Sequence, residues 1–318
     1  MNLTTKQTDK LAKSEIMQIC NLFEDVFKKK ISSKDFINKF SNNIKNYSYH
    51  SFLLNDNDEI VGCYSVIPYE YNYFGKKVLF GLSVDTMIKE EYRGSPFTLK
   101  KLANEVYLEM KKDGVSFVFG FPNDNVYLVR KKILKWKDIG KLKYYILPIN
   151  IGVIKNKFQY FNLLSRVYAR VVNKLVISEL NIMNQNNKPI EKISDENHIQ
   201  NRYNDSYNIE IRDTGFFVYK IYVEDDVRTA FIIDVYPLTK AAIEFSTKSI
   251  YEKEQDNIDV ILYIGQLDFN LKNLIEVPSK YEPKIVHMSG KILDETKVDD
   301  KVYNINNWNV NLSNYDVR

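Results

Sequence analysis

The stretch from Val84 to Leu99 limits the possible folds of this chain more than any other segment. It begins with the apolar character of a β-strand, and Arg93 and Gly94 follow in a polar corner. Ser95 is a good N-cap, and a proline occupies the next position, where its missing N–H costs a helix nothing. The sequence therefore predicts a strand that turns directly into a helix.

This corner is a potential site for phosphate groups. Unpaired backbone N–H groups and the positive end of the helix dipole meet at a helix N-terminus, and both attract anions. The helix is expected to bury the apolar residues that recur at helical spacing, namely Leu99, Leu102, Val106 and Met110. An ordinary strand–turn–helix connection explains the same pattern, so the elements that follow decide between the two.

Those elements continue the alternation of strand and helix. Gly114 stands where a helix C-cap belongs, and residues 115–120 are apolar and aromatic, as in a buried strand. Residues 121–125 indicate a turn that contains a helix cap. A short helix is expected from Val126 to about Leu134, and a further strand from Leu142 to Leu147.

Upstream, the sequence predicts two helices and a β-hairpin. Ser14 is expected to cap a helix that runs to about Lys29, and Ser33 to cap another that runs to about Ile44. Tyr47–Leu54 and Glu59–Tyr69 are expected to pair across a polar turn. Residues 1–150 should therefore form one mixed α/β unit.

This order of elements resembles the GNAT (GCN5-related N-acetyltransferase) acyltransferases, most of which use acetyl-coenzyme A. Residues 92–94, Tyr-Arg-Gly, match the start of the family's corner for the coenzyme pyrophosphate. Pro96 and Thr98 stand where two later glycines of that corner usually lie. Residues 135–136 occupy the place of a Gly-Phe dipeptide, and Lys131 replaces a tyrosine that many members use as a general acid.

The resemblance implies acetyl-coenzyme A as co-substrate, bound by the strand end, the corner and the short helix. The expected cofactor-binding residues are Met87, Ile88, Arg93, Gly94, Ser95, Pro96, Phe97, Thr98 and Asn125. Backbone N–H groups near Met87 and Ile88 would polarise the thioester oxygen. Arg93 either binds phosphate or pairs with Glu90 or Glu91.

Asp85 and Tyr127 are the candidate catalytic residues. Such a transferase aligns an amine or hydroxyl with the thioester, and a base takes up the acceptor's proton. Asp85 is expected on the strand near the thioester, where a structural bond to a turn N–H is an equally good explanation. Tyr127 is expected near the sulfur, and an ordinary packed aromatic explains it as well.

The second half of the chain resembles tandem acyltransferases of bacterial surface-polysaccharide clusters. Residues 212–220 are similar to their Arg-Asp-x-x-Phe-Leu-x-Trp-Arg signature, and residues 308–316 to their C-terminal tail. No Arg-Gly corner opens a helix in this half, so the resemblance implies a degenerate GNAT-like domain. The expected domains are 1–150 for acyl-coenzyme A, 151–200 as a helix and polar connection, and 201–318 for the second domain.

Residues 156–182 carry a broad apolar stripe at helical spacing. A membrane-surface helix would show such a stripe too, but Arg166, Arg170 and Lys174 are few basic residues for that role. Packing between two domains is the favoured interpretation.

Composition excludes several classes of protein. The 318 residues are 44% hydrophobic, enough for two ordinary cores. Residues 1–13 are polar and no segment approaches a membrane span, so we expect a cytoplasmic location. The net charge of +4 is spread out, so no nucleic-acid partner is expected. Cys20 and Cys63 predict no disulfide framework, and with the three histidines they show no metal-ligand spacing.

The sequence thus predicts an α/β acyltransferase that moves an acyl group, expected to be acetyl, to an amine or hydroxyl of a small acceptor. An amino-sugar nucleotide or a polysaccharide precursor is the expected acceptor, and a homo-oligomer is left open. Two alternatives stand beside this function: a non-catalytic binding or scaffold protein with a decayed GNAT fold, and a transferase for an amino-acid or peptide amine. An aminoacyl-tRNA-dependent transferase would need a coiled-coil arm, which the sequence does not contain.

Overall fold

The computed structural model describes residues 2–154, 160–176, 188–193, 199, 202–203 and 206–315. The chain divides into two compact units, which are residues 1–140, 189–204 and 286–307 for the first and residues 141–188, 205–285 and 308–318 for the second. Each unit is discontinuous in sequence. The predicted ranges 1–150, 151–200 and 201–318 are divided at other positions, and as functional domains they stay a prediction.

The described strands are β1 Asn2–Gln7, β2 Tyr49–Leu54, β3 Ile60–Tyr73, β4 Lys76–Ile88, β5 Val115–Gly120, β6 Lys137–Pro148, β7 Ile190–Lys192, β8 Asn208–Arg212, β9 Gly215–Glu224, β10 Val227–Tyr236, β11 Val260–Gly265, β12 Ile275–Glu276, β13 Val286–Ile292 and β14 Trp308–Asn309. The described α-helices are α1 Lys13–Phe27, α2 Ser33–Ser41, α3 Pro96–Lys112, α4 Asp124–Ile133, α5 Ile151–Ile154, α6 Asn162–Lys174 and α7 Lys240–Glu254. The predicted mixed α/β fold is confirmed.

In the first unit the main sheet has the strand order β1-β2-β3-β4-β5-β13. β4 and β5 run parallel, whereas the other neighbours in this order are antiparallel. β7 adds to the far end of β3. β13 lies in the C-terminal half of the sequence, so the predicted range 201–318 contains a strand of the first unit.

In the second unit the sheet has the order β6-β11-β10-β9-β8, with β12 paired to β6. β10 and β11 are parallel, and the other pairs are antiparallel. α7 packs on β10 and β11. Its buried face includes Ile243 and Ile250, which join the core of this unit.

Local capping chemistry fixes where the predicted helices begin. Ser95 Oγ accepts the Phe97 N–H at 3.2 Å, and Asn123 Oδ1 accepts the Val126 N–H at 3.1 Å. The four apolar residues predicted to form one face of α3 are all buried. The cap of α2 is Ser32 and not the predicted Ser33, because the Ser32 hydroxyl accepts from the third helical N–H.

The helix predicted over residues 156–182 is described as α6, from Asn162 to Lys174. The flanking residues 155–159 and 177–182 lie outside the described part of the chain. Most of its apolar stripe is not packed as expected, because the side chains of Phe161, Leu164, Val167, Tyr168, Val171 and Leu175 are exposed, whereas Val172 and Val176 are buried. The buried side of the helix carries Ser165, Ala169 and Asn173 beside Val172.

Candidate functional site

β4 and β5 separate toward their carboxyl ends. Their pairing runs from Leu79 opposite Val115 to Leu82 opposite Phe119, and β4 continues beyond it to Ile88. On its other side β4 is bulged, because the pairing with β3 shifts between Val84 and Met87. We call the space between residues 83–88 of β4 and Gly120 of β5 the strand gap.

The end of β4 directs a backbone donor into the strand gap. The Lys89 N–H donates to the Val61 carbonyl of β3 at 2.9 Å. Because N–H groups alternate along a strand, the Ile88 N–H points away from β3 and toward the gap. Met87, in contrast, is buried, and its N–H lies on the β3 side. Of the two predicted thioester donors, Ile88 has the suitable direction.

The corner after β4 is held by Arg93. Its Nε donates to the Ile88 carbonyl at 2.8 Å, and among the described residues it has no ion pair with Glu90 or Glu91. The guanidinium is exposed, so its remaining N–H groups can reach an anion. Gly94 is also exposed, and a Cβ added there would meet no atom within 4 Å. The fold therefore does not need glycine at this position. A ligand that approaches the backbone closely would need it, because a side chain would block the approach.

The free backbone donors of the corner lie before the helix and not in its first turn. Ser95 takes up the first helical donors, since its hydroxyl accepts from Phe97 and its carbonyl accepts from Thr98 at 3.1 Å. Pro96 has no N–H. The N–H groups of Gly94 and Ser95 make no hydrogen bond within the described chain, so a phosphate would meet them first.

The remaining predicted cofactor residues lie near these donors. Phe97 and Asn125 are exposed, and Thr98 is half-buried. Phe97 lies in the first turn of α3 and Asn125 in the first turn of α4. Both helices begin at the carboxyl ends of the two separating strands, which brings their N-termini to the same edge of the sheet.

Arg130 of α4 reaches into the strand gap. Its Nη2 donates to the hydroxyls of Ser83 at 3.2 Å and Thr86 at 3.1 Å, both on β4. A Cβ at Gly120 would lie 2.7 Å from Arg130 Nη1, so the glycine leaves room for the guanidinium. The side chain also lies over the Trp136 ring, 4.6 Å from its centroid.

The positive charge of Arg130 has no carboxylate partner among the described residues. The residue is 5% exposed, and its Nε and Nη1 make no hydrogen bond within the described residues. A buried cation with free N–H groups is costly unless something accepts from it. Arg130 is not among the residues predicted from the sequence, because arginine in the last turn of a helix is common on protein surfaces.

Asp85 lies at the bulge of β4, with a φ of 42°. Its carboxylate accepts from Lys39 Nζ of α2 at 2.8 Å, and both side chains are largely buried. An aspartate that is paired in this way stabilises the left-handed bulge. Of the two explanations offered by the sequence, the structural one has this direct support, and a catalytic role stays a prediction.

Tyr127 projects from α4 toward β6 and β13. Its hydroxyl donates to Asp138 Oδ1 at 2.8 Å, and Lys131 pairs with the same carboxylate. Partial burial and the hydrogen bond to Asp138 raise the pKa of Tyr127. Burial opposes ionisation of Asp138, but its bonds from Lys131 and Tyr127 outweigh that effect and lower the pKa of Asp138. The phenol of Tyr127 is thus protonated at neutral pH, and its catalytic role stays a prediction.

His287 of β13 lies against Tyr127. The two rings are stacked, with centroids 4.0 Å apart and planes 17° from parallel. His287 Nε2 is 3.7 Å from Oδ1 of Asp124, which lies in the first turn of α4. Because Ser289 pairs with Gly120, His287 lies just beyond the carboxyl end of β5. No motif surrounds His287 in the sequence, so only the pairing of β13 with β5 identifies it.

No helix among the described residues is long and apolar enough to cross a membrane. No group of three or more histidine, cysteine, aspartate or glutamate side chains is arranged there to hold a metal ion.

A family model described as an acetyltransferase (GNAT) domain matches residues 7–131, which include the corner, the strand gap and Tyr127. No match is found among the curated proteins compared with this sequence.

Several solved structures share the fold over most of the chain. One is a conserved protein of unknown function from Enterococcus faecalis V583, a probable N-acyltransferase, with 13% identity, 92% of this chain and 73% of that chain covered, and a TM-score of 0.59. A GCN5-related N-acetyltransferase from Anabaena variabilis ATCC 29413 has 14% identity, 92% and 73% coverage, and a TM-score of 0.56. The Saccharomyces cerevisiae N-myristoyltransferase with bound myristoyl-CoA has 10% identity, 91% and 82% coverage, and a TM-score of 0.54. At these identities the likeness concerns the fold alone.

Proposed function

We propose that this chain is a GNAT-type acyltransferase, which transfers an acyl group from acyl-coenzyme A to an amine or hydroxyl; the match of residues 7–131 to the GNAT domain model supports this. The observation that carries this function is the strand gap, which opens beside a corner with two free backbone N–H groups and an exposed arginine. Acetyl is the expected acyl group. The yeast neighbour has myristoyl-CoA bound, so a long-chain acyl-CoA is the donor to compare with acetyl-CoA.

In this proposal, polar groups near the strand gap bind and activate the acyl-coenzyme A donor. The N–H groups of Gly94 and Ser95 and the guanidinium of Arg93 would bind the diphosphate, with help from the dipole of α3. The Ile88 N–H would donate to the thioester carbonyl oxygen, whose negative charge grows during attack. Arg130 would supply positive charge beside the departing sulfur.

On the acceptor side, His287 is the base that the geometry supports best. The acceptor nitrogen or oxygen attacks the thioester carbon, and its proton passes to the imidazole of His287. Asp124 stabilises the resulting imidazolium. The C–S bond then breaks, and the thiolate is protonated by Tyr127 or by water. Asp85 and Tyr127, predicted as catalytic from the sequence, thus have a positioning role and an acid role in this proposal.

The resemblance of residues 212–220 and 308–316 to surface-polysaccharide enzymes supports an amino-sugar nucleotide or polysaccharide precursor as acceptor. An amino-acid or peptide amine is the alternative within the same chemistry. The cytoplasmic location and a homo-oligomer also stay predictions.

A decayed, non-catalytic fold is favoured by one observation, because Pro96 and the Ser95 cap leave few free donors at the helix start. Thermal unfolding with and without millimolar acetyl-CoA separates the two. We expect a clear rise in Tm with acetyl-CoA, less with myristoyl-CoA, and coenzyme A release with an amino-sugar nucleotide. No rise with any acyl-CoA contradicts the enzyme and favours the decayed fold.

A further inference from the structure

Helix α6 turns its apolar side toward solvent. Leu163 is 73% exposed and Leu164 61%, and Val167 and Val171 are each 50% exposed. Leu175, just past the helix end, is 63% exposed. On a helix these positions lie within one broad stripe. Large apolar side chains grouped in this way on a surface mark an interaction site.

The opposite side of α6 is fixed to the second unit by small and polar residues. Ser165 Oγ donates to the Ile149 carbonyl at 2.7 Å, and Asn273 Nδ2 donates to Asn173 Oδ1 at 2.9 Å. Ala169 between them is fully buried. These bonds define which side of the helix faces inward, so the apolar stripe cannot turn into the core without breaking them.

A row of cations runs beside the apolar stripe. Arg166, Arg170 and Lys174 are spaced by four residues and are exposed, which aligns them along one flank of the helix. Arg166 Nε donates to the neutral amide oxygen of Asn150 at 2.8 Å. Within the described chain none of the three has a carboxylate partner, and residues 160–176 contain no acid.

We propose that α6 docks on an anionic lipid bilayer and lies flat in its interface. A helix with an apolar stripe and a cationic flank is suited to this position, because the apolar side chains enter the headgroup boundary and the cations meet lipid phosphates. Tyr160, Phe161 and Tyr168 add partly exposed aromatic rings, which favour such interfaces. This inference goes beyond the proposed acyl transfer and does not depend on it.

Charge favours a bilayer over a second copy of the chain as the occupant. In a helix-to-helix dimer, the cations of one α6 would find no acid on the other α6. An anionic bilayer offers both an apolar acyl region for the stripe and negatively charged headgroups for the cations. Three cations are few for a helix that binds a membrane by itself, but a docked folded unit does not need its helix to bind alone.

The test is co-sedimentation of the full chain with vesicles of phosphatidylcholine alone and of phosphatidylcholine with 30% phosphatidylglycerol. We expect binding to the anionic vesicles that weakens as salt rises, and little binding to the neutral ones. Arg170→Gln/Lys174→Gln should reduce the partition coefficient by about tenfold or more, since each surface cation contributes about fivefold. Leu164→Glu/Val167→Glu should reduce it at least as much. The matched control is Met17→Glu/Leu108→Glu, which places acids at exposed apolar positions of α1 and α3 and should bind normally.

Light scattering and circular dichroism accompany each variant. A chain that does not bind anionic vesicles overturns the proposal, as does binding that the Glu variants leave unchanged. A salt-resistant dimer that Leu164→Glu/Val167→Glu converts to monomer, without vesicle binding, assigns the surface to a second copy instead. If the Glu variants misfold, the Gln variants at exposed positions decide the outcome.

Discussion

The Tyr127 ring of α4 stacks on the His287 ring of β13 at a centroid distance of 4.0 Å. The sequence singled out the tyrosine through its place in a family-like helix, whereas nothing in the sequence singled out the histidine. Their contact places the imidazole against a phenol whose raised pKa keeps it protonated at neutral pH. The imidazole is thereby held at the carboxyl end of β5, next to the strand gap.

We expect His287→Gln to lower kcat by about 10²- to 10⁴-fold, the usual contribution of a general base. The acetyl-CoA-induced rise in Tm should persist, because His287 contacts the acceptor side. The profile of kcat against pH should also lose its ascending limb. A variant with normal kcat and a normal pH profile contradicts the assignment. His50→Gln is the control, because His50 is buried away from the strand gap between Thr8 and Ser65.

Arg130→Met should separate stability from catalysis. The variant removes a buried cation that has no carboxylate partner in the described part of the chain, and uncharged replacements at such sites are often neutral or stabilising. We therefore expect the Tm of the free protein to stay the same or rise, while kcat falls. Arg130→Lys is the matched control, since it keeps the charge but loses the planar fork. A Met variant with full kcat would show that Arg130 only fills the space beside Gly120.

Gly94→Val tests the diphosphate contact at the corner. No atom lies within 4 Å of the added Cβ, so the free energy of unfolding should change by less than about 0.5 kcal/mol, as for other surface substitutions. Coenzyme A should bind at least about tenfold more weakly by calorimetry, because the side chain blocks the N–H groups of Gly94 and Ser95. Pantetheine, which lacks the diphosphate, serves as the control ligand and should be unaffected. Equal affinity of variant and parent for coenzyme A would place the diphosphate elsewhere.

Asp85→Asn distinguishes a structural carboxylate from a catalytic base. Breaking a buried ion pair by removing one partner costs about 3–5 kcal/mol, and the Asp85–Lys39 pair is largely buried. We expect a loss of this size in urea unfolding, and a similar loss for Lys39→Met. The double variant Asp85→Asn/Lys39→Met should lose less stability than the two single variants lose together. If Asp85→Asn keeps its stability and instead abolishes turnover, Asp85 is the base.

The buried imidazole of His50 predicts a specific pH dependence of stability. Burial lowers the pKa of His50 to about 3, below the value of about 6.5 in an unfolded chain. As the pH falls, the unfolded state therefore binds the proton first. The contribution of neutral His50 to the free energy of unfolding is complete above pH 6.5 and is lost as the pH falls toward 3. Between pH 7 and pH 5 it amounts to about 2 kcal/mol. The free energy of unfolding, measured in urea, should therefore be lower at pH 5 than at pH 7. In His50→Gln this difference should be smaller by about 2 kcal/mol.

The sequence determined what local chemistry controls. The cap at Ser95, the buried face of α3 and the strand at residues 115–120 follow from short-range rules of capping and periodicity, and the structure confirms each of them. The cap of α2 lies one residue before the predicted one, at Ser32, because two neighbouring serines offer the same hydroxyl.

Tertiary structure alone decided the contacts between distant segments. His287 reaches Tyr127 because β13 pairs with β5, and strand pairing depends on register and on loop closure across the chain, which no local pattern specifies. Arg130 enters the strand gap because Gly120 leaves room for it. The apolar stripe of α6 was visible in the sequence, but its direction was not. Hydrogen bonds from the second unit to Ser165 and Asn173 hold the polar side inward and turn the stripe toward solvent.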